Sequence, residues 1–245
     1  MKKLILGIMA LGFFSCQITE RMYLSESGIV EQQTEVDFSM MMSFMFTPEK
    51  IDSMKTEGQF PIDTIGSMLD ASTMSTPEDE DVSDAETKFR QSFDKTKVRI
   101  VMDEGVGKVV FITDKMNIDD FNAYQNKIKT AFDEFYAADK DGAEAYMGTG
   151  YGSILQYRLT SKDFERKSFN RSITFDEEAV DSGFSSKEMI DMNSFKFEYH
   201  FPKAVKSSNL KDAEISPDGK TVTGEAVISN MIENPDQYNF KVEFK

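Results

Sequence analysis

Chemically versatile side chains are scarce in this sequence. It has one cysteine, Cys16, one histidine, His200, and no tryptophan. A lone thiol excludes an internal disulfide and leaves too few ligands for a Cys/His zinc site. A lone imidazole limits nucleophilic catalysis to a hydroxyl and an acid that would have to surround His200, and no Gly-x-Ser-x-Gly context is present. Positive charge is also short, with 28 Lys and Arg against 43 Asp and Glu and a formal net charge of −15. That field repels nucleic-acid phosphates, and no basic cluster with interleaved aromatics offsets it, so nucleic acid is not an expected partner. No internal period of about 20–50 residues marks a solenoid or propeller. No apolar run reaches the roughly 20 residues that a membrane-crossing helix needs.

Apolar side chains of particular kinds are plentiful instead: 21 Phe and 16 Met. The aromatics argue for a folded chain, because disordered segments lack them. Methionine is flexible and polarizable, and fills irregular apolar space in cores and in adaptable binding surfaces.

The N-terminus carries a targeting pattern. Lys2 and Lys3 give a positive start, Leu4 to Phe14 an uncharged apolar stretch, and Ser15 a small residue before Cys16. These are the parts of a secretory signal. Phe13-Phe14-Ser15-Cys16 resembles the lipobox of bacterial lipoproteins, and relaxed boxes of this kind resemble those of Bacteroidota. The resemblance implies that residues 1–15 are a lipoprotein signal peptide, that cleavage falls before Cys16, and that Cys16 is the lipid-attachment residue. Cysteine usage agrees, since an exported chain unable to form an internal disulfide has this one obvious use for its thiol. Two or more acyl chains make a stable membrane anchor where one does not. Gln17 is not the aspartate associated with inner-membrane retention, so the expected location is the cell envelope, as an outer-membrane lipoprotein. Losing Lys2 and Lys3 makes residues 16–245 two positive charges poorer than the whole chain.

Along residues 16–245 the patterns alternate between strands and helices. Gln17–Leu24 and Ile29–Phe38 alternate around the turn residues Ser25-Glu26-Ser27-Gly28, which predicts a β-hairpin. "SMMMSFMF" (39–46) and Thr47-Pro48 predict a short helix, a break and a second helix over 48–55. Ile62, Ile65, Met68 and Leu69 have helical spacing after Pro61. Residues 72–84 form an acidic loop, and Ser83-Asp84-Ala85-Glu86 reads as a capping box in front of an Ala85, Phe89, Phe93 face. A second hairpin is expected from Val98–Met102 and Lys108–Thr113. Asn117 caps a longer helix with Ile118, Phe121, Tyr124, Ile128, Phe132 and Phe135 in one stripe. Strands are expected at Ile154–Leu159, Phe164–Phe169, Ser172–Phe175, around Phe195, Phe197, Tyr199 and Phe201, at Lys220–Ile228, and through Phe240, Val242 and Phe244.

Hairpins interrupted by amphipathic helices predict an α+β fold, a curved antiparallel β-sheet with helices packed on one face. Residues 16–245 are expected to be a single domain, ending in antiparallel strands over 194–245.

No catalytic constellation and no cofactor are expected. Asp139-Lys140-Asp141-Gly142 imitates part of a calcium loop but lacks its other ligands, Ala137 and Gly150 standing where they would be. Gly148, Gly150 and Gly152 lack the Gly-Lys-Ser/Thr of a phosphate loop and precede a strand. The feature with a functional edge is the cluster Met40, Met41, Met42 and Met45, read either as core or as a ligand-binding lining.

Tyr199-His200-Phe201-Pro202-Lys203-Ala204-Val205-Lys206-Ser207-Ser208-Asn209 and Ser216-Pro217-Asp218-Gly219-Lys220-Thr221-Val222-Thr223 are similar to a strand, bend and strand pattern of LppM-like bacterial lipoproteins and of Bacteroidota envelope lipoproteins. Lys203 and Gly224 stand where the LppM-like pattern prefers Gly and Trp. The segment "ITERMYLSESGIVEQQTEVDFSMMM" resembles the opening of the Bacteroidota group. The resemblance implies a curved antiparallel sheet with helices that can enclose a lipid or glycolipid, and supplies no catalytic residues. The expectation is a non-enzymatic, lipid-anchored envelope lipoprotein that binds a lipid or other apolar ligand between sheet and helices. The alternative is an anchored interaction subunit that docks on an envelope protein through its acidic face or a strand edge.

Overall fold

The computed structural model describes residues 17–40, 42, 46–68, 83–140, 154–169 and 193–245. The expected signal segment 1–15, Cys16, Met41, Met45, most of the acidic loop 72–84, residues 141–152 and the expected strand Ser172–Phe175 lie outside the described residues.

The first hairpin forms as expected. Strand β1 (Gln17–Leu24) pairs antiparallel with β2 (Ile29–Asp37), and the turn between them is set by Gly28, whose φ of +78° suits glycine. Ser25 Oγ accepts from the Ile29 N–H at 3.0 Å and closes the loop. The second hairpin, β4 (Thr96–Asp103) and β5 (Val106–Thr113), is tighter than the sequence suggests: Val106 and Gly107 are in the strand, and only Glu104-Gly105 connects, with Gly105 at φ +71°.

These strands join β3 (Ile62–Ser67), β6 (Met116–Asn117), β9 (Ser194–His200), β11 (Glu214–Ile215) and β12 (Thr221–Val227) in a nine-stranded sheet. Its order is β11-β12-β9-β1-β2-β5-β4-β3, with β6 attached to β2. A second sheet of four strands runs β10-β13-β8-β7, from Val205–Ser208, Phe240–Phe244, Asp163–Phe169 and Ile154–Leu159. The α+β class expected from the hairpins is the one observed. Its strands divide between two sheets, and one junction, β1 with β9, is parallel.

Four helices accompany the strands among the described residues. They are α1 (Pro48–Thr56), α2 (Asp84–Gln91), α3 (Ile118–Ala138) and the short α4 (Ile228–Glu233), which leads into a 3₁₀ turn at Pro235–Tyr238. Caps fix three of their starts. Thr47, Ser83 and Asn117 accept from the N–H groups of Lys50, Glu86 and Asp120. The Glu86 carboxylate is held by Arg90, one turn on. Strand β3, Ile62–Ser67, corrects the helical expectation for Ile62 and Ile65. Ile62, Thr64 and Gly66 face Met102, Ile100 and Val98 of β4, and this cross-strand partner outweighs an i, i+3 spacing carried by only a few residues.

The inward face of β1 carries Ile18, Glu20, Met22 and Leu24, and that of β9 carries Phe195, Phe197 and Tyr199. The second sheet packs on this face. Phe164 lies 5.7 Å from Tyr199 and 5.2 Å from Phe201, and Phe240 lies 5.2 Å from Tyr199, ring centre to ring centre. The α3 stripe packs alongside, with Phe132 and Phe135 at 5.5 and 5.6 Å from Phe89 of α2. Asn122 of α3 accepts from the Tyr157 N–H at 2.9 Å and donates to the Tyr157 carbonyl at 2.8 Å, as a neighbouring strand would. One contiguous apolar core runs from Ile18 to Phe244. The outward face of the large sheet is laced with ion pairs, Arg21 with Glu35 and Glu198, and Lys108 with Glu35 and Asp37.

Candidate functional site

Four places compete for function: the Met cluster, the surroundings of His200, a buried polar group between the sheets, and a cleft at one end of the large sheet.

The Met cluster is divided. Met42 is core, packed with Phe38 over Gly107, where an added Cβ would come within 2.4 Å of Phe38 Cε2 and 2.7 Å of Met42 Sδ. Met40 is 72% exposed.

His200 sits on the outward face, stacked on Tyr23 with ring centres 4.5 Å apart. Its Nε2 meets Glu198 Oε1 at 2.8 Å and its Nδ1 meets Thr221 Oγ1 at 3.1 Å. A hydroxyl, an imidazole and a carboxylate in line are what acyl transfer needs, together with free N–H donors for an oxyanion. The Thr221 N–H is already committed to Ser216 Oγ at 2.9 Å, and the three side chains lie on the outward face of the sheet. Among the described residues, no three His, Cys, Asp or Glu side chains are grouped so as to hold a metal ion.

The buried polar group was not anticipated. Glu20 of β1 and Arg166 of β8 occupy inward positions that alternation assigns to apolar side chains, and both are buried. Tyr199 donates its hydroxyl proton to Glu20 Oε1, while Arg166 Nη1 donates to the Tyr238 carbonyl at 2.9 Å and its guanidinium carbon lies 5.0 Å from the centre of the Phe197 ring. Burial acts to lower the Arg166 pKa, and Tyr199, Tyr157 and Glu20 more than reverse it, so the guanidinium stays charged. Burial pushes the Tyr157 and Tyr199 phenols up, and both stay protonated. Among the described residues, the Tyr157 hydroxyl and Arg166 Nε find no hydrogen-bond partner of good geometry. The signal that could have found this group was a charge in phase with Ile18, Met22 and Leu24, and another in phase with Phe164 and Ser168.

The cleft lies where β11 stops covering β12. β11 pairs only with Val222 and Thr223, leaving Gly224–Val227 beyond its reach on that side. The opening has a volume of about 460 Å³ and is walled by Leu210, Ala226 and Tyr238 with Asn193, Ser194 and Lys211. Leu210 lies so close over Gly224 that an added Cβ would meet its Cδ2 at 2.5 Å. Asp212, also in the wall, has a left-handed backbone with φ +55°. Tyr238 links the cleft to the buried group, through its side chain on one side and its carbonyl to Arg166 on the other. Ser194 is the register partner of Gln17, so the cleft begins one strand away from the first described residue. The lining is mixed, with Leu210, Ala226 and Tyr238 beside Lys211, the carboxylates Asp212 and Glu225, and amides.

The arrangement defines an α+β protein with two face-packed sheets and a cleft at the exposed end of β12. No protein-family model matches the chain, and no curated protein sequence matches it either. In three dimensions it is similar to the folded domain of the Mycobacterium tuberculosis LppM protein, solved by NMR, with a TM-score of 0.41 and 9% identity over 95% of this chain and 90% of that one. Among the described residues, no helix is long and apolar enough to cross a membrane.

Proposed function

We propose that this protein is a non-enzymatic lipoprotein of the cell envelope, tethered through lipid on Cys16, that holds a lipid or glycolipid in the cleft beside its tether. The observation that carries this reading is the pairing of Gln17 with Ser194. The residue after the anchoring thiol lies about 4.8 Å, one strand spacing, from the cleft wall. An acyl chain leaving the bilayer would meet Leu210, Ala226 and Tyr238, gaining about 25 cal/mol per Å² of apolar surface buried. Lys211 at the rim suits a headgroup phosphate. The cleft, rather than Met40, Met41, Met42 and Met45, is the ligand site in this reading. Gln17 supports the outer membrane as the destination.

Mass spectrometry of the full-length protein extracted from membranes tests the proposal. The expected result is a chain beginning at Cys16, carrying acyl groups, with a second lipid released on organic extraction. Cys16→Ser should abolish fatty-acid labelling. A chain that is not acylated, or one whose cleft yields no lipid, sinks the corresponding half of the reading.

A further inference from the structure

The wall of the cleft carries both signs of charge, and the protein itself uses neither. Lys211, Asp212 and Glu225 all stand in it, and among the described residues none of the three makes an ion pair or a side-chain hydrogen bond. Lys211 and Asp212 are consecutive, with Cα atoms about 3.8 Å apart, so a ligand of one charge sign would meet a partner and a repelling neighbour together. A zwitterion satisfies both.

The loop that presents this pair is held in place before any ligand arrives. Asn209 Oδ1 accepts from the Lys241 N–H at 2.5 Å, and the Asn209 N–H donates to the Lys241 carbonyl at 3.1 Å. The Leu210 N–H is taken by Ser208 Oγ at 3.2 Å, Leu210 packs over Gly224, and the Ala213 N–H closes the turn on the Leu210 carbonyl at 3.3 Å. Inside that turn Asp212 has its left-handed φ of +55°, which aspartate and asparagine accept more readily than other side chains. A wall already ordered loses little entropy on binding. Volume sets a second limit. The opening of about 460 Å³ lies toward the small end of the roughly 300–1,000 Å³ of ligand sites, room for a headgroup and the start of a chain rather than a whole diacyl lipid.

We propose that the cleft selects lipids whose headgroup joins a phosphate to a primary ammonium. Lys211 meets the phosphate, Asp212, with Glu225 as the second carboxylate, takes the ammonium, and Leu210, Ala226 and Tyr238 cover the first carbons of the chain. This rests on the reading of the cleft as a lipid site and adds which headgroup the site takes. A primary ammonium brings three N–H donors to a carboxylate, and a quaternary ammonium brings none. A purely anionic headgroup leaves Asp212 without a partner and places like charges together.

The test gives the full-length protein in detergent equal amounts of phosphatidylethanolamine, phosphatidylcholine and phosphatidylglycerol and counts the bound lipid by native mass spectrometry. The expected result is phosphatidylethanolamine bound about fivefold over each of the others, the ratio that one exposed charge pair supplies. Asp212→Asn keeps a residue suited to the left-handed backbone, so it should leave circular dichroism unchanged and bring phosphatidylethanolamine down to the level of phosphatidylglycerol. Lys211→Gln should weaken those two lipids alike. Free phosphoethanolamine at the lipid's concentration should displace nothing, and displacement would assign the site to a soluble solute and overturn the proposal. Equal binding of the three lipids, or an Asp212→Asn protein with its preference intact, ends the headgroup assignment and leaves the lipid cleft standing. A protein that binds none of the three ends both.

Discussion

The Tyr199 hydroxyl donates to the Glu20 carboxylate across the parallel junction of β1 and β9, 179 residues apart in sequence and fully inside the protein. Arg166 reaches the same dry space from the second sheet, so the group ties three strands of two sheets together. Removing one charge from such a set leaves the other without compensation. Arg166→Met should therefore destabilise the protein by roughly 3–5 kcal/mol, and Tyr199→Phe by roughly 1–3 kcal/mol. Glu20→Gln combined with Arg166→Met should lose less than the two single changes together, in urea unfolding of all three variants. Strict additivity would mean that Glu20 and Arg166 do not act as a unit.

Asn122 replaces a missing strand at the β7 edge through two hydrogen bonds to Tyr157. Asn122→Ala leaves that half-buried peptide unpaired and should destabilise by about 1–3 kcal/mol. Hydrogen exchange at the Tyr157 amide should accelerate more than at its β7 neighbours. Uniform acceleration along the strand would point to global destabilisation instead.

Asp163 makes the protein acid-sensitive in a defined range. Hydrogen bonds from the Thr160 hydroxyl and from Lys241, with the Arg158 charge nearby, hold its pKa down at about 2 from an ordinary 3.8. A carboxylate depressed in the folded state stabilises it above its unfolded pKa, and that contribution disappears as pH falls through the folded value. Melting temperature should thus drop between about pH 4 and pH 2, and Asp163→Asn should flatten that part of the profile while lowering stability at neutral pH. An unchanged acid profile in Asp163→Asn would remove this residue from the account.

Gly107 admits Phe38 and Met42 against β5, and nothing larger than a hydrogen fits there. Gly107→Ala should destabilise by about 1–3 kcal/mol through overpacking. Met42→Ala in the same background should recover part of the loss, because it opens room on one side of the new methyl. If Met42→Ala deepens the loss as much as it does alone, the two residues are not in conflict.

Elements whose signal is local were legible. The β1–β2 and β4–β5 hairpins, the Asn117 cap with its Phe121 to Phe135 stripe, and the Phe195, Phe197, Tyr199 row all follow from turn residues and periodicity within a dozen positions. Ile62–Ser67 was not, because its two apolar side chains, Ile62 and Ile65, are too few to decide between helix and strand until β4 supplies the partner. Met42 was legible as apolar, but its place in the core beside Phe38 depends on Gly107, which is distant in sequence.

By itself the sequence determined that the fold is α+β, and it raised the expectations that the charge repels nucleic acid and that Cys16 carries a lipid, since each depends on composition or on a few adjacent residues. Only the tertiary structure decided that β1 runs parallel to β9, that Glu20, Arg166 and Tyr199 share one interior space, and that a cleft opens beside β12. Those outcomes depend on which strands meet, and strand pairing across more than a hundred residues leaves no mark on any short window of sequence: the free energy that selects it comes from side chains that are neighbours only after the sheets have packed.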